Sequence, residues 1–164
     1  MKKCKQIRLG RTNIYCGELG LGCEGFTKLD QMMSTKIINE ALDLGMNFID
    51  LYSSNPVTRK NIGNALASRR KEMIIQGHLC TIWSDGQYER TRDIEKTKES
   101  FEALLKDLNT DYIDIGMIHY IDEEKDFDEV FNGEIIEYAK CLKEKGIIKH
   151  IGISSHNPVV ASKA

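Results

Sequence analysis

Four side chains able to hold or move a proton stand at or near the ends of apolar, strand-like segments. They are Asp50 and Tyr52 in MNFIDLY (46–52), His78 in EMIIQGHL (72–79) and His119 in YIDIGMIHY (112–120). Histidine titrates near neutrality, so His78 paired with Asp50 can donate as an imidazolium. Tyr52 follows Asp50 by two residues and shares its face if the strand continues. Such groups suit general acid–base chemistry, proton transfer to or from a reacting atom. Plainer roles stay open: a capping carboxylate for Asp50, a packing aromatic for Tyr52, a polar pocket residue for His78, a core histidine for His119.

The elements that must position these groups alternate along the chain. Cys4 to Leu9 and Asn13 to Cys16 flank Gly10, Arg11 and Thr12, a hairpin signal. Leu19 to Cys23 reads as a short strand. Ser34 to Leu44 has helical spacing, with Ser34 as N-cap and Gly45 after its end. Pro56 breaks the chain after the second strand, and Thr58 to Arg69 places Ile62, Ala65 and Leu66 on one helical face. Asp93 caps a helix running to Leu108, and Gly133 to Lys145 is helical with Gly146 as its stop. Ile147 to Ser154 is the last strand, and Asn157 with Pro158 opens another helix. Five strands after the hairpin, each followed by a helix, predict right-handed βαβ units and an α/β fold with a parallel sheet.

Composition narrows the function classes. At 164 residues and 41% hydrophobic content the chain can build one core. A formal charge of −2, with bases and acids interspersed, gives no footprint for nucleic acid. No apolar run reaches the roughly 20 residues of a membrane span, and MKKCKQIRLG lacks the apolar stretch of a secretory signal. A cytoplasmic setting follows, with Cys4, Cys16, Cys23, Cys80 and Cys141 read as reduced thiols rather than disulfides or a metal site. The acidic run DEEKDFD (122–128) reads as a solvated loop without calcium-ligand spacing. GLGCEG (20–25) has no later acidic ribose partner in a matching context, so it is not a dinucleotide fingerprint.

Four stretches resemble the aldo-keto reductases in order: IRLGRTNIYCGELGLGCEGF (7–26), EALDLGMNFIDLYSSNP (40–56), SFEALLKDLNTDYIDIGMIHY (100–120) and EKGIIKHIGISSHN (144–157). The resemblance covers nearly all of residues 1–164. It implies a partial (β/α)₈ TIM barrel, an N-terminal hairpin (4–16) plus about five βα units (18–164), with chemistry at the C-terminal ends of the strands. It makes Asp50 and His119 two members of the family's catalytic set. The family's tyrosine position, five residues after the aspartate, is Asn55, and its lysine position is His78. Asparagine is no Brønsted acid near neutrality, and general acid catalysis is worth about 10²–10⁴-fold. Tyr52 and His78 are the candidate substitutes.

The same resemblance implies NADP(H) as cofactor, with Gly22 and Cys23 near the nicotinamide. It puts Ser154 on the carboxamide, with Ser155 where asparagine is usual. The closest resemblance is to clostridial-type members sharing the IDLYSSNP and QGH-type segments, some of which carry a C-terminal cysteine-rich ferredoxin-like region, so an iron–sulfur cluster is expected only in a longer form. No metal site is expected in these residues. The expected function is an NADP(H)-dependent oxidoreductase on a carbonyl or alcohol, incomplete as presented. The alternative is a catalytically silent barrel fragment acting through self-association at the open sheet edges.

Overall fold

The computed structural model describes residues 3–164; Met1 and Lys2, which open the basic N-terminal stretch, lie outside the described residues. The opening hairpin pairs β1 (Gln6–Arg8) with β2 (Tyr15–Gly17), Ile7 opposite Cys16. The five expected strands follow: β3 (Leu21–Gly22), β4 (Phe48–Leu51), β5 (Ile74–Leu79), then β8 (Ile113–Ile118) and β9 (Ile148–Ile153). They form one parallel sheet in the order β3-β4-β5-β8-β9.

Helices α1 (Gln31–Asp43), α2 (Pro56–Leu66), α3 (Ile94–Asp107) and α5 (Glu134–Glu144) run between the strands, and α6 (Pro158–Ala161) follows β9. Asp93 caps α3 as expected, accepting from the Glu95 and Lys96 amides. Two helix starts differ from the sequence reading. Asp30, not Ser34, caps α1 by accepting from the Met33 amide at 2.8 Å. Ser34 sits one turn inside the helix, fully buried against the core. For α2 the cap is Asn55, which accepts from the Val57 and Thr58 amides, and Pro56 occupies the first turn. Proline has no amide to lose there, so it starts the helix instead of breaking the chain.

Two elements were not expected. The acidic run is not a loop: Glu124–Phe131 is a helix, α4, and its Phe127, Val130 and Phe131 supply an apolar stripe that the charges obscure. Between β5 and α3 the chain forms a second hairpin, β6 (Thr81–Ser84) with β7 (Gln87–Arg90). Its two-residue turn puts Asp85 at φ 49° and Gly86 at φ 79°, the positive-φ pair that suits the twist of a tight hairpin.

The sheet separates two apolar regions. On one side Ile49, Leu51 and Ile75 pack against Ile38, Ile62, Leu66 and Leu104 of the helices. Gly77 is needed for that approach, since a Cβ there would lie 2.9 Å from Leu104 Cδ2. On the other, Ile14 and Cys16 of the first hairpin pack with Phe48, Ile74, Ile115 and Met117. Side chains alternate along a strand, so the next residues on that face are Asp50, Gln76, His78 and His119. An apolar floor thus carries a polar layer.

Candidate active site

Register brings the polar layer together. Gly22 pairs with Asp50, Asp50 with Gln76, and His78 with Met117, so four neighbouring strands end at one rim. His78 Nε2 lies 3.0 Å from Asp50 Oδ1, and Gln76 donates to the same oxygen at 2.7 Å. His78 Nδ1 meets His119 Nδ1 at 2.7 Å. The far nitrogen of His119, Nε2, meets the hydroxyl of Tyr88 on β7. The result is a continuous chain: Asp50, His78, His119, Tyr88.

Tyr52 joins this cluster by packing. Its ring lies nearly parallel to His119 (14°, centroids 6.3 Å apart) and edge-on to Tyr88 (5.6 Å). Its hydroxyl makes no hydrogen bond among the described residues. Asn55 is committed elsewhere, because its side-chain oxygen caps α2. Among the described residues no group of three or more His, Cys, Asp or Glu side chains is arranged to hold a metal ion.

Sequence reasoning missed Tyr88. It belongs to the second hairpin, where it stands opposite Trp83. The available signal was Asp85 and Gly86 between TIWS and QYER, a strong short-range hairpin marker. The hairpin is held over the rim at both flanks. Ser54, just past β4, donates to the Ile82 carbonyl. Arg92 pairs with Asp126 and donates to the carbonyls of His119 and Tyr120, while Arg90 also reaches Asp126 and Tyr120. Asp126 is therefore no solvated loop acid: it anchors the hairpin, its side chain only 12% exposed.

Electrostatics set the charge states. Partial burial alone would raise the Asp50 carboxyl, but hydrogen bonds from His78 and Gln76 outweigh it and hold the group below the ordinary carboxylate range. Asp50 is therefore an acceptor. Burial, with the charges of His78 and Arg92 nearby, pushes His119 down to about 3, so its imidazole stays neutral. Burial raises both Tyr52 and Tyr88 above an ordinary phenol.

The expected cofactor residues divide. Gly22 ends β3 with open space where a Cβ would point. Ser154 accepts from the Tyr120 amide at 2.8 Å and keeps its own hydroxyl proton for another acceptor. Ser155 donates to Asp122 and accepts from the Asn157 amide, so its hydroxyl is engaged inside the loop. Cys23 has no exposed surface and burial raises its thiol, so it supports the rim from beneath.

Comparison with known proteins places the fold in a family. The family model for the aldo/keto reductase family matches residues 14–164. The chain is 33% identical over 162 residues to the uncharacterized oxidoreductase YqkF of Bacillus subtilis, covering 95% of this chain and 50% of that protein. It is 29% identical over 153 residues to aldo-keto reductase YhdN of the same organism, covering 88% and 45%. The holo form of aldo-keto reductase AKR11C1 from Bacillus halodurans matches with a TM-score of 0.84 and 29% identity, over 98% of this chain and 53% of that one. The chain thus spans about half the length of the curated relatives it matches, and its parallel βα units match about half of their (β/α)₈ barrels. The chain belongs to the aldo-keto reductase family.

Proposed function

We propose that this chain carries the proton-handling part of an NADP(H)-dependent oxidoreductase site acting on a carbonyl or alcohol. The observation that supports this most is the Asp50–His78–His119 chain, three proton-competent side chains in series at the C-terminal ends of adjacent parallel strands. In a barrel of this kind that rim is where substrate binds.

The residues present fit one end of the cofactor. Gly22 leaves room for a flat ring to approach the rim. Ser154 has a free hydroxyl proton for a carboxamide oxygen. Ser155 and Cys23 fit less well, one being engaged and the other enclosed. When bound, the reduced nicotinamide supplies the hydride. The chain's own residues then manage the charge that appears on the substrate oxygen. Asp50 fixes His78, His78 fixes His119, and His119 faces the space beside the two tyrosines.

A silent fragment that acts by self-association is the competing reading, favoured by the commitment of Asn55 to a helix cap. Titration of the full-length protein with NADPH, followed by nicotinamide fluorescence, separates the two. Saturable binding is expected, and His78→Ala or His119→Ala should lower carbonyl reduction at least about tenfold. Absence of NADPH binding would reject the oxidoreductase reading.

A further inference from the structure

The Asp85 and Gly86 turn, the Trp83 and Tyr88 pairing, and the clamps on Ser54 and Asp126 together aim one phenol at the last nitrogen of the histidine pair. We propose that Tyr88 hands the proton to the substrate oxygen, resupplied in series by His119 and His78, with Asp50 holding the far end. This rests on the oxidoreductase reading and names the acid that Asn55 cannot be.

Hydrogen-bond accounting restricts the relay to two forms. Asp50 is ionised and only accepts, so His78 Nε2 carries a proton in both. One proton must lie between the two Nδ1 atoms. If it belongs to His119, then His119 Nε2 is bare and accepts from the Tyr88 hydroxyl. If it belongs to His78, that ring is an imidazolium beside Asp50, and His119 carries its proton on Nε2. His119 then donates to the Tyr88 oxygen, which frees the phenolic proton to point into the cleft. The second form holds one more proton than the first.

Discharge of the second form gives the first. The substrate oxygen, holding the electron pair released when the carbonyl carbon takes hydride, accepts the Tyr88 proton. The Tyr88 oxygen takes the proton from His119 Nε2, and His119 Nδ1 takes the proton from His78 Nδ1. His78 ends neutral and still donates to Asp50. Negative charge on the substrate and positive charge on His78 vanish together, and every proton inside the relay moves along a hydrogen bond already made. Alcohol oxidation runs the same steps backwards.

The surroundings suit the assignment. His119 faces Asp50 from β4 and Tyr52 just past it, His78 from β5, Tyr88 and Arg90 from β7, with Arg92 just beyond, and the adjacent Tyr120. The two arginines oppose charge on His119 itself, so it passes protons without storing them. The storing site is His78, in contact with the carboxylate. Tyr52 is not wired in, because only its ring meets His119.

The test uses ¹⁵N-histidine NMR together with carbonyl reduction by NADPH across pH. In the wild type, one His119 nitrogen should show the shift of an acceptor bonded to a phenol. Tyr88→Phe should move that signal, with Trp83 fluorescence confirming that the hairpin stays docked. The same variant should lower kcat about 100-fold with little change in KM; reduction by the wild type is expected to slow as pH rises, and Tyr88→Phe should remove that dependence. An NADPH-active protein in which Tyr88→Phe keeps its rate and pH profile, or in which Tyr52→Phe causes the loss instead, overturns the proposal alone. A wild type that binds no NADPH overturns it together with the function it rests on.

Discussion

His119 sits in surroundings that disfavour its own protonation, and that has a cost at low pH. Its folded pKa of about 3 lies below the ordinary 6.5, so between those values the unfolded chain binds the proton that the folded chain refuses. Stability is therefore full above about pH 6.5 and is lost as pH falls toward 3. Asp50 acts in the same direction lower down: its contribution is present above the ordinary carboxylate range and is lost as pH falls through its depressed folded value. His119→Gln removes the first contribution. Its denaturation midpoint should fall less between pH 7 and pH 5 than the wild type's, as read in urea by Trp83 fluorescence; equal slopes would show that His119 titrates normally. The rim positions of Asp50, His78 and His119 could be expected from the sequence because each stands at or near the end of an apolar, strand-like segment, and the family resemblance singles out those positions. Tyr88 could not be, because its importance depends on a hairpin whose apolar content is slight.

At the scale of elements, the β6–β7 hairpin is held by a few polar anchors more than by a core of its own. Trp83 is 38% exposed and Tyr88 half-buried, whereas Asp126 concentrates contacts from both Arg90 and Arg92. Removing a partly buried carboxylate with two arginine partners costs about 2 kcal/mol and leaves both cations unpaired. Asp126→Ala should therefore raise hydrogen exchange at Trp83, Tyr88 and Glu89 while β5 and β8 stay protected, and carbonyl reduction should fall as Tyr88 leaves His119. Loss of protection spread evenly through the parallel sheet would instead make Asp126 a general stability residue. Local periodicity could not reveal this anchor: five acids in seven residues hide the Phe127, Val130 and Phe131 stripe, and the arginine partners lie more than 30 residues earlier. The opposite case is α3, where the Asp93 cap and the spacing of Phe101 and Leu104 are wholly local, and the sequence reading and the structure agree to within a residue.

For the molecule as a whole, strand order and register follow from strand–helix alternation, because short right-handed crossovers leave a parallel sheet little choice of neighbours. That sheet has β3 at one edge and β9 at the other, each paired on one side only among the described residues. The β3 edge is two residues long and is preceded by Leu19, 62% exposed; the β9 edge runs the six residues Ile148–Ile153. Unpaired backbone along a six-residue strand is a template for another chain, and no charged side chain interrupts Ile151 to Ile153. The 164-residue chain should therefore associate through β9, so that sedimentation velocity shows a weight-average mass rising with concentration. A lysine at Gly152 would place a charge on that edge, but a Cβ there lies 2.4 Å from Met117 Sδ and would disturb the floor. Ile153→Lys, at the strand's upper end, meets the edge of the helix-side core but is only partly buried there, and it should shift the distribution toward monomer. A wild-type chain that sediments as a monomer at every concentration, with Ile153→Lys indistinguishable from it, would mean that the β9 edge is blunted by its own twist and does not recruit a partner strand.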